Sequence, residues 1–325
     1  MSDLSRTPFL QLQEAINQQI VGQPALVERL LIALLCDGHL LLEGAPGLAK
    51  TRAIKSLAAG IEADFHRIQF TPDLLPADLT GSDIYHPEDG SFRFNPGPLF
   101  HNLILADEIN RAPAKVQSAL LESMEERQVT IGSSSHPLPK LFLVMATQNP
   151  IEQEGTYPLP EAQLDRFLLH VRIDYPDRAA SRQILALSRQ ETQDALAHTE
   201  TATVELLSQE QLFAARSAVM ALHLADSIEE YIIELVEATR NPHPYGDALG
   251  RWLQWGASPR GAIAIERAAR ASAWLNGRDF VTPEDVQQVA PDALRHRIIL
   301  SYEAAADGIT PQRCIEEILQ RVPAP

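Results

Sequence analysis

The chain has 325 residues and a mass of 35.9 kDa, a length that favours two domains. Hydrophobic residues make up 45% and charged residues 22%, which is ordinary for a globular protein and argues against a disordered one. The 43 acidic and 27 basic residues give a formal net charge of −16. This charge disfavours nucleic acid and anionic membranes as partners, although a local basic groove would weaken that exclusion.

Cysteine usage and hydropathy bear on the cellular compartment. Two cysteines, Cys36 and Cys314, are too few for a disulfide framework or a thiolate metal site, and the histidines show no paired metal spacing. Residues 1–6 lack the charged-then-apolar pattern of a signal peptide, and no apolar stretch reaches the roughly 18 residues that span a bilayer. The sequence therefore predicts a cytoplasmic protein without membrane insertion.

The first half of the chain alternates short apolar runs with amphipathic segments, which predicts an α/β domain with a mostly parallel sheet. The candidate buried strands are residues 39–43, 65–70, 103–107, 141–147 and 168–173. Between them, Val116, Leu120 and Met124 recur at helical spacing, and Pro113 is well placed to open that helix.

Two segments interrupt the α/β pattern and predict β-hairpins. Residues 83–95 alternate in polarity around the turn Pro87-Glu88-Asp89-Gly90, and residues 128–140 surround Gly132-Ser133-Ser134-Ser135. Insertions of this kind usually contact partners.

Beyond residue 176 the strand pattern ends and helical signals take over. Ser208 and Gln211 form a capping box, and an apolar stripe at helical spacing runs through residues 228–236. Ser258-Pro259 and Thr282-Pro283 each supply a capping residue followed by proline. We therefore expect an α/β domain over residues 1–176 and a helical domain over 177–325, with the polar stretch 190–203 as a linker or loop.

A candidate phosphate-binding loop follows the first strand and precedes a helix. It reads Gly44-Ala45-Pro46-Gly47-Leu48-Ala49-Lys50-Thr51. Glycines let backbone N–H groups turn towards phosphate oxygens, and the next helix adds its positive N-terminal dipole. Lys50 would reach the β- and γ-phosphates and the Thr51 hydroxyl would ligate Mg²⁺. Ala49 stands where the general pattern has glycine, so a glycine-rich turn with a solvent-exposed lysine is the alternative.

Two carboxylates end the third candidate strand. Asp107 and Glu108 follow four apolar residues, and the carboxyl end of a parallel strand faces the ligand crevice of an open sheet. Asp107 would hold Mg²⁺ through its water shell, and Glu108 would orient and polarise the water that attacks the γ-phosphate. The alternative is an acidic pair that caps the next turn. Because Asp107 and Glu108 come after a phosphate-loop pattern, their position favours a role in nucleotide chemistry over that alternative.

The next strand ends in a polar side chain, Asn149. If neighbouring strands end at one crevice, this amide lies near the γ-phosphate beside Glu108 and could sense the phosphate. The alternative is a turn residue before Pro150.

Two long motifs resemble the MoxR family of AAA+ ATPases. They are Ala106-Asp107-Glu108-Ile109-Asn110-Arg111-Ala112 and the segment from Ala146 to Phe167, with its Gln148-Asn149-Pro150 and Leu164-Asp165-Arg166-Phe167. The loop from Gly44 to Thr51 matches that family's variant, Ala49 included. The resemblance runs from about Val21 to Arg297. It implies an AAA+ P-loop NTPase core, an αβα sandwich with a parallel sheet, followed by a C-terminal all-helical lid.

The resemblance also assigns residue roles. Arg166 is similar to an arginine finger that reaches a neighbour's γ-phosphate, with an ion pair to Asp165 or Glu161 as the alternative. Arg260 resembles the lid-domain sensor arginine, which would point across the domain interface at the nucleotide. Val21 and Gly22 resemble the segment beside the adenine, and Gln69 resembles a residue that gates Glu108. The two hairpins resemble the family's helix-two and pre-sensor insertions.

The resemblance implies an ATPase that uses ATP and Mg²⁺ in a ring, commonly a hexamer, and works as a remodelling or assembly chaperone. ATP binding would close the lid on the α/β core, and hydrolysis would reset it. The family's partners include proteins with a von Willebrand factor A domain, and its clients include metalloenzymes that await a cofactor. The alternatives are an ATPase subunit of a metal chelatase complex, a nucleic-acid motor, which the charge disfavours, and a non-hydrolysing switch.

Overall fold

The α/β half is built on one parallel sheet. The computed structural model describes residues 6–45, 47–48, 50–150, 155–197 and 206–325. Within them, five strands pair in the order β2-β5-β8-β1-β9, with every pairing parallel. Their bounds are β1 Leu40–Gly44, β2 Phe65–Gln69, β5 Leu103–Asp107, β8 Leu143–Gln148 and β9 Leu169–Ile173. All five expected strands are confirmed, and the fourth begins two residues later than its apolar run.

Helices cover both faces of this sheet, which explains why the strands are almost continuously apolar. Leu40 and Leu42 pack in one cluster that includes the helices around Leu30 and Ile54, and Leu41 packs in a second cluster with the helix that contains Val116. The alternation follows from the two-residue period of a strand. The helices are α1 Thr7–Gln19, α2 Pro24–Leu35, α3 Lys50–Ala59, the short α4 Pro76–Thr80 and α5 Ala114–Glu126.

Both predicted hairpins form and they touch each other. The first pairs β3 (Gly81–His86) with β4 (Ser91–Pro96), and the second pairs β6 (Gln128–Ile131) with β7 (Ser134–Pro137). The rings of Phe94 and His136 stack at 3.9 Å between centroids and join the two hairpins.

Beyond residue 176, the described part of the chain forms helices and one short antiparallel ribbon. Its helices, after the short α6 (Glu161–Leu164), are α7 Arg178–Ala197, α8 Gln209–Met220, α9 Asp226–Arg240, α10 Asp247–Trp252, α11 Pro259–Leu275, α12 Pro283–Leu294, α13 Tyr302–Ala306 and α14 Pro311–Arg321. The predicted caps at Ser208 and Ser258 are confirmed, because each hydroxyl accepts a helix N–H. An antiparallel ribbon of β10 (Leu253–Trp255) and β11 (Ile299–Leu300) was not expected.

The polar stretch expected as a linker is helical as far as Ala197. Most side chains of helix α7 are exposed, so the helix is polar around most of its circumference. Its polarity therefore reflects exposure and does not indicate a loop. Residues 198–203 of that stretch lie outside the described residues.

The helical half packs directly against the sheet. One hydrophobic cluster runs from α2 and β1 into α9, α11 and α12. Arg29 of α2 adds polar contacts across the same boundary, donating to Asp292 Oδ2 at 2.8 Å and to the carbonyl of Gln288 at 2.9 Å. The expected division at residue 176 therefore crosses a shared core and stays a prediction. None of the described helices is long and apolar enough to cross a membrane.

Acid should destabilise the fold through His39. This side chain is 5% exposed, its Nδ1 accepts the backbone N–H of Val144 at 3.0 Å, and burial lowers the pKa to about 3. The unfolded chain binds a proton near pH 6.5 and the folded chain does not, so stability falls as pH drops from 6.5 towards 3. At pH 5 we expect His39 to reduce the free energy of unfolding by about 2 kcal/mol.

The measurement is urea unfolding at pH 7.5 and pH 5.0. His39→Asn is the matched control, because its amide oxygen can accept the Val144 N–H without titrating. The variant should lose less stability between the two pH values than the wild type. Equal losses in the two proteins would contradict the assignment.

Candidate active site

The predicted phosphate loop forms a turn between β1 and α3. Gly47 has a φ of +82°, which favours glycine, and a Cβ there would meet nothing within 4 Å, so the backbone faces open space. Gly44 is close-packed, since a Cβ would lie 2.9 Å from the carbonyl oxygen of Ile173. Ala45 and Leu48 are buried beneath the turn. Pro46 and Ala49 lie outside the described residues.

Lys50 opens α3, and its ammonium lies across the carboxyl end of the sheet. Its Nζ donates to the carbonyl of Gly44 at 2.7 Å and lies 3.5 Å from the carbonyl oxygen of Gln148. A cavity of about 370 Å³ adjoins it, lined by Gly47, Leu48, Lys50, Thr51, Arg52, Asp107, Glu108 and Asn149. Three separate segments of the chain therefore bring seven predicted site residues to one cavity: Gly47, Leu48, Lys50, Thr51, Asp107, Glu108 and Asn149.

Hydrogen bonds fix both oxygens of the Asp107 carboxylate. Oδ1 accepts the hydroxyl of Thr147 at 2.6 Å, and Oδ2 accepts Nη2 of Arg67 at 2.7 Å. Thr147 is fully buried, and its oxygen also accepts the backbone N–H of Glu108 at 2.9 Å. Thr147 was not among the predicted site residues, although a hydroxyl among the apolar residues of β8 was a usable signal.

Glu108 occupies an unusual backbone conformation. Its φ of 57° and ψ of 51° are left-handed, a region that non-glycine residues seldom adopt and that is common at functional sites. Its Oε2 accepts Nε2 of Gln69 at 2.9 Å and pairs with Nε of Arg111 at 3.2 Å. The Gln69 contact is compatible with the expected gating of Glu108, and that role stays a prediction.

The donor set around the cavity fits a magnesium nucleotide. Thr51 offers a hydroxyl and Asp107 a carboxylate, the hard oxygen ligands that Mg²⁺ prefers. Lys50 supplies a positive charge, and the open backbone at Gly47 leads into the N-terminus of α3, where phosphate binds favourably.

An apolar cavity of about 260 Å³ adjoins the first one and shares Gly47, Leu48 and Arg52 with it. Val21, Pro176, Ile184 and Leu187 line its walls, which suits a purine base. Gly22 contributes close packing instead, because a Cβ there would lie 2.7 Å from Cβ of Ala180. Ile184 and Leu187 were missed by the sequence analysis.

Arg166 and Arg260 lie together, away from Lys50. Arg166 Nη2 pairs with Oε2 of Glu125 at 2.8 Å, and Arg260 Nη2 pairs with Oε1 of the same carboxylate. Both arginines line a third cavity of about 370 Å³, which also includes Glu125 and none of the phosphate-loop residues that the structure describes. Arg260 therefore does not point at the nucleotide cavity of its own chain, and the ion-pair partner of Arg166 is Glu125 rather than Asp165 or Glu161.

These features define a P-loop nucleotide-binding protein with a helical lid, and the comparisons with known proteins agree. Residues 39–169 match the ATPase family associated with various cellular activities (AAA), and residues 251–318 match the AAA lid domain. Chaperone MoxR1 of Mycobacterium tuberculosis is 46% identical over 95% of this chain and 80% of its own length. Protein MoxR of Methylorubrum extorquens is 36% identical over 96% of this chain and 94% of its own.

A solved structure shares the whole architecture. A crystal structure from Cytophaga hutchinsonii, named only as a candidate ATPase, superposes with a TM-score of 0.89 at 47% identity. The match covers 99% of this chain and 96% of that one. The chain belongs to the MoxR family of AAA+ ATPases.

Thr147→Val should lower ATP turnover without removing ATP binding. The variant keeps the side-chain volume but loses the hydroxyl that holds Asp107 and the Glu108 N–H. Hydrogen bonds to charged groups contribute about 1.5–3 kcal/mol, so we expect kcat to fall about 10- to 100-fold. Steady-state kinetics and calorimetric ATP titration measure the two effects, and Thr147→Ser, which keeps the hydroxyl, is the control. A Val variant with wild-type kcat would show that the hydroxyl does not position the two acids.

Proposed function

We propose that this protein is an Mg²⁺-dependent ATPase that works as a ring-shaped remodelling or assembly chaperone. The observation that carries the proposal is the meeting of Lys50, Thr51, Asp107, Glu108 and Asn149 at one cavity. An apolar cavity of suitable size for a base adjoins it. The chaperone role comes from the resemblance to MoxR1, a relative that carries that description.

Each residue around the cavity has a distinct role in this proposal. The Lys50 ammonium binds the β- and γ-phosphate oxygens and offsets their charge. Thr51 and Asp107 would hold magnesium, which supplies further positive charge when it is bound. Glu108 orients the attacking water and takes its proton, while the Asn149 amide contacts the γ-phosphate.

The second group of residues supports a site shared between subunits. Arg166 and Arg260 line a cavity apart from that of Lys50, and their side chains keep 27% and 46% exposure. An arginine that cannot serve its own nucleotide can neutralise charge on a neighbour's. We infer a closed homo-oligomeric ring, a hexamer as in the family, with each nucleotide near the next subunit's Arg166.

The hairpins are the proposed contacts to a client or partner in the cytoplasm. Tyr85 and Phe92 are 52% and 68% exposed near the tip of the first hairpin, with ring centroids 5.2 Å apart. Exposed aromatic pairs of this kind are enriched at binding surfaces. A partner with a von Willebrand factor A domain and a metalloenzyme client are the family's pattern. A partner that binds porphyrin would instead favour the chelatase alternative, and steeply salt-dependent stimulation by DNA would favour the motor.

Glu108→Gln should retain ATP but almost stop turnover. The amide fits the same space but cannot take a proton from water, and general-base catalysis contributes about 10²- to 10⁴-fold in rate. Calorimetry should give near-wild-type ATP affinity, while a phosphate-release assay should show at least a hundredfold loss. Lys50→Ala is the matched control, which should lose ATP affinity as well as activity. Wild-type hydrolysis by Glu108→Gln would move the water-activating role to another group.

Turnover per protomer should rise with protein concentration in the presence of Mg²⁺. A site completed by a neighbour's Arg166 exists only in the assembled ring. Arg166→Ala should lower turnover by about 10³-fold while ATP affinity and assembly stay unchanged. Sizing at the lowest protein concentration is required, because a flat rate from active monomers would contradict the role of Arg166 in a neighbour's site.

A further inference from the structure

Arg297, just beyond the end of α12, is a buried guanidinium with all of its donors used. The side chain is 3% exposed, and a guanidinium has five N–H groups. Nε donates to Asp165 Oδ1 at 2.8 Å, and Nη2 donates to the carbonyls of Asp165 and Phe167 at 3.0 and 2.7 Å. Nη1 donates to the carbonyl of Leu168 at 3.2 Å and to that of Ala293. Four of the five acceptors therefore belong to the turn that carries Arg166.

The carboxylate of Asp165 also binds the start of α11. Ser258 Oγ lies 2.8 Å from Oδ2 and 3.1 Å from Oδ1 of Asp165. The same Ser258 oxygen caps α11 by accepting the N–H of Arg260 at 3.1 Å. Asp165 thus joins Arg297 to Ser258. Arg166 is the residue after Asp165, and Arg260 lies two residues after Ser258.

This arrangement presents the two arginines as a pair. Arg166 and Arg260 both contact Glu125, one on each carboxylate oxygen. Swinging the lid away from its own core at this point would break four of the five hydrogen bonds of Arg297, those to residues 165–168, in a buried environment, which is strongly unfavourable. Arg166, on the core, and Arg260, on the lid, must therefore move as one rigid unit.

We propose that Arg297 is a positioning residue that locks the lid to the Arg166 turn, so that Arg166 and Arg260 meet a neighbour's γ-phosphate as one unit. The proposal rests on the proposed function of Arg166. The family resemblance implies that ATP binding closes the lid on the α/β core of the same chain. In this proposal the lid and core of one chain stay together, and the movement occurs between neighbouring chains.

Arg297→Lys tests the proposal directly. Lysine keeps the charge but loses the planar fork that reaches the Asp165 carboxylate and the three carbonyls of the turn. We expect kcat to fall about 10- to 100-fold, with KM for ATP and the affinity for a fluorescent ATP analogue within about threefold of wild type. Assembled rings of Arg297→Lys with wild-type kcat would overturn the proposal.

Arg29→Lys is the matched control for a structural effect. Arg29 is also buried and also ties the lid to the core, through Asp292 and Gln288, but it contacts none of residues 165–168 that the structure describes. We expect Arg29→Lys to lower the melting temperature about as much as Arg297→Lys does, while its kcat stays near that of the wild type. Equal kcat losses in both lysine variants would mean that general loosening, not arginine positioning, is the cause. Asp165→Asn, which weakens the same junction from the other side, should reproduce the Arg297→Lys kinetics.

Mixed rings separate this proposal from the function on which it rests. Lys50→Ala subunits keep intact arginines, and Arg297→Lys subunits keep an intact nucleotide cavity. An equal mixture should regain about a quarter of wild-type turnover, because half of the sites have Lys50 and half of those face an intact arginine pair. Sizing confirms that both variants enter the ring.

The reference mixture is Arg166→Ala with Lys50→Ala. If that mixture recovers no activity, the role of Arg166 in a neighbour's site is wrong. If it recovers and the Arg297→Lys mixture does not, Arg166 acts as proposed and the role of Arg297 is wrong.

Discussion

The parallel pairing of β8 between β5 and β1 is the constraint on which the nucleotide site depends. Parallel strands end at the same edge of a sheet, so residues distant in sequence meet there without any local contact. The registers of Leu40 with Met145 and of Ala106 with Ala146 set the three carboxyl ends at matching heights. Asp107 can therefore accept the hydroxyl of Thr147, and Lys50 can lie beside the end of β8.

The two acids of the candidate site, Asp107 and Glu108, are held by hydrogen bonds from neighbouring side chains. Asp107 is held by Thr147 and Arg67, and Arg67 also donates to Gln69, which in turn holds Glu108. The two acids of the site therefore belong to one network.

The junction of lid and core is also held by hydrogen bonds to charged side chains, and there they join the two halves of the chain. Arg297 and Arg29 are buried arginines whose donors bind groups across the boundary, over a hydrophobic cluster that both halves share. Removing such charges from their partners is costly, so the boundary resists opening. In the proposed ring, movement would therefore occur at the boundaries between subunits, beside Arg166 and Arg260.

The sequence by itself determined the five strands of the parallel sheet, the two hairpins and the helix caps at Ser208 and Ser258, and it indicated the phosphate loop, because each depends on local periodicity or on a short motif. It also indicated Asp107, Glu108 and Asn149, since each ends an apolar strand. Tertiary structure alone decided that Thr147 binds Asp107, that Ile184 and Leu187 line the apolar cavity beside Gly47, and that Glu125 pairs with both Arg166 and Arg260. Those contacts join side chains far apart in the chain, and only the packing of the lid and sheet sets which of them meet.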